Sequence, residues 1–403
     1  MSQVEWVPVA SWECHQLRFG IGATRTRGLG ASFRERSAGP LQLNTWIPEP
    51  APPQRDPENE QRLRDFLGHF GPEVPAWAAD AKLVDFEAQV TAMIDAKPEV
   101  ISSIMGVYPP HLVKRMKEQK IRWFAVATTV AEAVAAEAAG ADAIVAQGVE
   151  AGGHRGAFRA EDAKVDLVGL VALLPQIVDA VQIPVIATGG LCDARQTAAA
   201  LLLGASAVQI GTGLLRCPEA GISTAWADAL ARSRPEDTVA TRAFSGRLGR
   251  ALKNAYVRAA EAPDAPAPAP YPVQRGLTTP MRTEAAKTHQ LDHMMAWAGQ
   301  SCGLSKAQPA EELVATLWTQ VEEMLEPRAQ ILVQEFPENF GIFRTDVAPA
   351  KRPRFDELGG SLDSEDCGED SNVPTAAVAR SGTRNVFEAL LHRPRGFCEA
   401  WIL

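Results

Sequence analysis

The chain has 403 residues, 46% hydrophobic and 22% charged, with a formal net charge of −9. This is an ordinary composition for a soluble globular protein. The acidic balance, with no concentrated basic face, argues against a nucleic-acid binder, and no uninterrupted apolar run is long enough to span a bilayer. The six cysteines are scattered without a C-x-x-C pair, which speaks against a zinc site and a disulfide framework. No secretory signal is readable at the N-terminus, so a cytoplasmic location is expected. The length admits two or three domains, or one α/β barrel of roughly 250 residues with extensions.

In chain order, residues 1–38 form an atypical segment rich in arginine and tryptophan, without a clean apolar strand. Six apolar runs then predict strands: "PLQLNTWIP", "EVISSIMGVYP", "IRWFAVATT", "ADAIVAQG", "IPVIATGG" and "SAVQIGTG". The last four are apolar along their length rather than alternating, as parallel strands covered on both faces should be. Alanine-rich helical stretches separate them. Thr129 and Glu132 have capping-box spacing, and Asp193 and Gln196 repeat it. Gly140 and Gly204 can stop these helices in the left-handed conformation. Strand, helix and strand recurring in this way predict right-handed βαβ units. An open doubly wound sheet satisfies the pattern. A closed (β/α)8 TIM-type barrel over residues 39–325 is favoured, because glycine-rich polar loops follow several successive strands.

Two later segments fall outside this repeat. "EAPDAPAPAPYPVQ", Glu261 to Gln274, reads as an extended, exposed connector. Residues 326–403 are polar and irregular, which predicts a disordered tail with one short helix at "TRNVFEALLHRPRGF". His289 and His293, four residues apart, could share a helical face and hold a metal, but no acidic or cysteine partner is evident and a solvated helix face is the simpler reading.

The chemistry concentrates in three loops. Gly189-Gly190 ends one strand just before a helix, and "QIGTG" (Gln209, Ile210, Gly211, Thr212, Gly213) ends the next. Paired glycines let the backbone approach a ligand, and free amide hydrogens favour an anion. Barrels often bind phosphate between the loops after their last two strands; the alternative is two tight turns that need glycine for geometry alone. The third loop, "QGVEAGGHRG", offers the amide of Gln147 to a flat polar ring. Gly152 and Gly153 clear space for a planar cofactor, and His154 is expected to project over the mouth. An imidazole there can move a proton or bind an anionic substrate, or it is a surface histidine with no task.

"AQGVEAGGHRG", "IPVIATGGL" and "GASAVQIGTG", in this order, resemble the nitronate monooxygenase (2-nitropropane dioxygenase-like) family. The similarity extends back to "PLQLNTWIP" and forward through "TRAFSGRLGRALKN", "YPVQRGLTTPMR" and "WAGQ". It implies a TIM barrel with non-covalent FMN that oxidises small-molecule nitronates or nitroalkanes, including propionate 3-nitronate, with O2 to a carbonyl compound and nitrite. By the same resemblance, Asn44 and Gln147 contact the flavin, and Gly152 passes close to it. Gly189, Gly190 and Gln209 to Thr212 hold the phosphate, and His154 is the active-site histidine. No metal, nucleic acid or membrane partner is implied, and the resemblance admits a homodimer.

One departure stands out. The family's opening strand with an Ala-Pro-Met-type loop is not readable here, and only "GLGAS", Gly28 to Ser32, is similar to the segment around the second strand. Both unusual ends are consistent with an aberrant reading frame or splice form. Two other functions share these motifs in part: an FMN-dependent NAD(P)H reductase acting on a quinone or enoyl thioester, and a degenerate, non-catalytic barrel.

Overall fold

All six apolar runs form strands, and the central ones, β2 to β4 and β6, bury side chains on both faces. The computed structural model describes residues 23–325 apart from residues 38 and 51; the predicted tail with its short helix, and the chain before residue 23, lie outside that range. In chain order the strands are β1 (Gln42–Trp46), β2 (Val100–Ile104), β3 (Arg122–Ala127), β4 (Ala143–Gln147), β5 (Gly153–His154), β6 (Val185–Thr188), β7 (Ala207–Gln209), β8 (Thr238–Thr241) and β9 (Gly249–Leu252). Six of them build one sheet in the order β1-β2-β3-β4-β6-β7, parallel throughout. One face carries Phe124, Val126, Val145 and Ile186, which pack on one another. The other carries Ile101, Trp123, Ile144 and Val185 and packs beneath the helices. The ladder is not closed by hydrogen bonds: among the described residues β1 pairs only with β2, and β7 only with β6.

Local chemistry sets the helix ends. Thr129 accepts from the Glu132 amide and starts the helix Val130–Ala138. Asp193 and Gln196 form a complete capping box at the helix Ala194–Leu202. Gly140 and Gly204 follow these helices with φ of 97° and 100°, a conformation open to glycine at little cost. The last helix among the described residues, Ala310–Leu325, sends Leu313, Val314, Leu317 and Val321 into the main core. No helix among the described residues is long and apolar enough to cross a membrane.

Three local expectations change. The "GLGAS" segment is no strand but part of a helix, Ala23–Arg36. Gly30 allows close packing there, since a Cβ would lie 3.0 Å from Ala96 Cβ, and Arg34 pairs with Glu99 at 2.9 Å. The Pro/Ala-rich connector is docked at its end: Asn59 Nδ2 donates to the Ala267 carbonyl at 2.8 Å, and Ala269 and Val273 join a second core with Phe244 and Tyr256. His289 and His293 share no helical face, because His289 ends the helix Thr279–Thr288 at φ 55° and His293 lies in the next turn. No group of residues suited to a metal ion occurs among the described residues.

A small antiparallel sheet, β5-β9-β8, carries the histidine loop. Gly153 pairs with Arg250 and His154 with Gly249. The Asp193 box matters beyond its own helix, because it holds the turn that follows β6. Asp193→Ala should lower stability by about 1–2 kcal/mol, measured by urea denaturation; a change within error would show that the box is redundant.

Candidate active site

The turns after β6 and β7 share one rim because Thr188 stands opposite Gln209 in the parallel register. Thr188 Oγ1 fastens the pair by donating to the Gln209 carbonyl at 3.0 Å. Gly189 and Gly190 then turn at φ 102° and 70°. A Cβ on Gly190 would lie 2.9 Å from Glu150 Cβ, so glycine is needed for space as well as for conformation. Gly189, Gly190, Gln209, Gly211 and Thr212 all line one cavity of about 230 Å³. Of the expected phosphate turn, only Ile210 faces away; its side chain is in the core.

A segment distant in sequence closes this cradle. Gly299 N donates to Thr212 Oγ1 at 3.0 Å, and Ser301 Oγ donates to the Gly190 carbonyl at 2.6 Å. Gly152 lies under that crossing: a Cβ there would sit 2.4 Å from Gly299 N. Gly299 and Ser301 line the cavity with Gly152.

The opposite wall is polar. Asn44 Oδ1 accepts from Ser102 Oγ at 2.9 Å, and Ser102 Oγ accepts from Gln42 Nε2 at 3.1 Å. All three residues line the cavity, with Val126 and Val145 between them and the glycine turns. Gln147 also lines it, but both ends of its amide are engaged. Nε2 donates to the His154 carbonyl at 3.0 Å, and Oε1 accepts from Gly156 N at 2.8 Å. Gln147 therefore shapes the histidine loop as well as lining the cavity.

His154 does not project over the mouth, and it is not among the cavity-lining residues. Pairing of β5 with β9 draws it inward, leaving 6% of the residue exposed. Its ring packs edge-on to Trp46 at 4.6 Å and against Trp297 at 4.8 Å. Nε2 and Ser245 Oγ share a hydrogen bond of 2.7 Å. Burial, reinforced by the nearby Arg247, Arg282 and Arg275 charges, lowers the imidazole pKa to about 3. The ring is neutral at physiological pH.

Sequence reading missed Gln42, Ser102, Gly299, Ser301 and Ser245. Gln42 and Asn44 were open to detection, as polar residues two apart in an otherwise apolar strand. Cys192 also lines the cavity, but burial pushes its thiol up to about 12, so it is no thiolate nucleophile near neutral pH.

Comparison with known proteins adds independent weight. The family model for nitronate monooxygenase matches residues 31–320. A probable nitronate monooxygenase of Staphylococcus aureus strain MSSA476 is 40% identical over 243 residues, covering 60% of this chain and 68% of that protein. Its counterpart in strain MRSA252 is 39% identical over the same shares. Among solved structures, nitroalkane oxidase from Streptomyces ansochromogenes superposes with a TM-score of 0.67 at 34% identity, covering 75% of this chain and 86% of that one. FabK from Thermotoga maritima, with a TM-score of 0.57 at 24% identity and coverage of 76% and 83%, shares the fold. The βαβ repeat, the two glycine turns on one rim and the histidine loop beside them thus belong to a known lineage: the chain is a member of the nitronate monooxygenase family, a family of oxidoreductases.

Proposed function

We propose that the protein is an FMN-dependent nitronate monooxygenase, converting alkyl nitronates such as propionate 3-nitronate, with O2, to a carbonyl compound and nitrite. One observation carries this reading above the rest: a single cavity joins the glycine turns after β6 and β7 to Gly152 of the histidine loop. The fit to FMN rests on the cradle itself. Side chains are excluded at Gly152 and Gly190, and the turns leave main-chain amides for a phosphate. Bound FMN would supply the electron acceptor that links oxidation of the nitronate to O2.

The chain's own residues do the rest. Gly189, Gly190 and the Gln209–Thr212 turn hold the phosphate, while Asn44, fixed by Ser102, presents a polar group to the flavin ring. A neutral His154 can accept the α proton of a nitroalkane, but with its pKa held at about 3 it is a weak base for that step. Its main part is toward a nitronate, already deprotonated, which it orients and hydrogen-bonds. The positive field of Arg247, Arg275 and Arg282, which suppresses imidazolium, also favours an anionic substrate.

Anaerobic mixing tests the reaction class: a nitronate should bleach the bound flavin, and bleaching by NAD(P)H alone would favour the reductase reading. His154→Asn should retain flavin while lowering the turnover of the nitronate and of the nitroalkane. Equal, undiminished rates would remove the histidine from the chemistry. Gly190→Ala should weaken FMN binding by about tenfold or more, because a 1.4 kcal/mol clash already suffices; fluorescence titration reads this directly. A buried neutral histidine also makes the fold acid-sensitive. The folded pKa lies below the unfolded one, so its contribution is full above about pH 6.5 and is lost as pH falls toward 3. Between pH 7.5 and 5 the loss is about 2 kcal/mol, and denaturation curves of His154→Asn should be flatter by that amount.

A further inference from the structure

We propose that Ser245 is a positioning residue for His154, selecting the ring flip that sets Nε2 against its hydroxyl. The catalytic consequence rests on the proposed role of His154; the structural part does not. The two residues are distant in sequence and come from different elements, yet Nε2 and Oγ lie 2.7 Å apart in a buried setting. The hydroxyl is itself held. Arg247 N donates to Oγ at 3.3 Å, and Oγ reaches the Arg247 carbonyl at the same distance, within the tight connection between β8 and β9. Gly246, at φ 86°, is hemmed by the docked connector, where a Cβ would meet the Ala269 carbonyl at 2.4 Å. Phe244, on the other side, joins Trp297 at 5.6 Å, and Thr278 Oγ1 donates to the Phe244 carbonyl at 2.6 Å. The serine is thus placed by three packed segments rather than by a free loop.

Trp46 and Trp297 confine the imidazole ring but do not distinguish its nitrogens. Aromatic contacts at 4.6 and 4.8 Å accept either flip of the ring, because carbon and nitrogen have similar size. A hydrogen bond does not. The 2.7 Å bond to Ser245 Oγ favours the flip that sets Nε2, rather than Cε1, against the hydroxyl. With the ring neutral, that choice also couples to the tautomer, since a single ring proton is shared between two nitrogens of unequal surroundings.

The test uses the FMN-loaded, full-length protein with Ser245→Ala and Ser245→Thr. The alanine variant should keep its flavin, leave KM within about twofold and lower kcat by about five- to tenfold, the range of one net hydrogen bond. Threonine, which keeps the hydroxyl, should restore most of the rate. In ¹⁵N spectra, with His154 assigned by its loss in His154→Asn, the alanine variant should shift the ring-nitrogen resonances and the threonine variant should return them. Unchanged resonances in a folded alanine variant would overturn the proposal, as would equal rates for alanine and wild type while His154→Asn is impaired. If His154→Asn retains full activity, the catalytic reading fails, and the resonances still decide the Ser245 contact. Should alanine not fold, Ser245→Cys, close in shape but a weak hydrogen-bonding partner, serves in its place.

Discussion

Because Gln147, Thr188 and Gln209 stand side by side at the ends of three hydrogen-bonded parallel strands, the loops that follow them emerge together. Every later feature depends on that alignment. A slip of one residue in a parallel ladder would exchange the two faces of a strand, sending Thr188 and Gln209 into the helical layer. The double burial of the sheet forbids such a slip, since Ile186 on one face and Val185 with Ala187 on the other are all matched to apolar surroundings. The core therefore sets the geometry of the polar rim above it.

The rim is also electrostatically unusual. Arg155 and Arg247 are buried, and they meet mainly main-chain carbonyls: Arg155 donates to Gln147 and Thr128, and Arg247 to Ala157, with Glu49 the carboxylate partner of Arg247. Carbonyls solvate a guanidinium without cancelling its charge. Arg247, together with Arg275 and Arg282, adds to burial in holding the imidazole neutral.

How far residues alone disclose this arrangement varies with the range of the interaction. The strands were legible because burial on both faces writes itself into a continuous apolar run, and the caps at Thr129 and Asp193 because they act within four residues. The shared rim of Gly190 and Gly211 followed from strand order. Other features were hidden. The Ala23–Arg36 helix has a weak apolar pattern and owes its place to packing at Gly30 and to the Arg34–Glu99 pair. His154 looked like a residue on an open loop because its enclosure comes from β9, Trp46 and Trp297, all remote in sequence. Gln147 looked available because its partners, His154 and Gly156, are bound through their main chains, which carry no sequence signature. The docking of the Pro/Ala-rich connector was hidden for the same reason: it depends on Asn59 and on the second core.

The crossing of Gly299 over Gly152 has a consequence for biosynthesis. A ribosome makes β1 to β7 and both glycine turns well before it reaches residues 299–301, so a nascent chain can pair its strands while the cradle still lacks its lid of backbone. Closure of the cradle is thereby deferred until residues 299–301 have been made. A chain ending before Gly299 would lack the backbone that crosses Gly152 and ties Thr212 to Gly190.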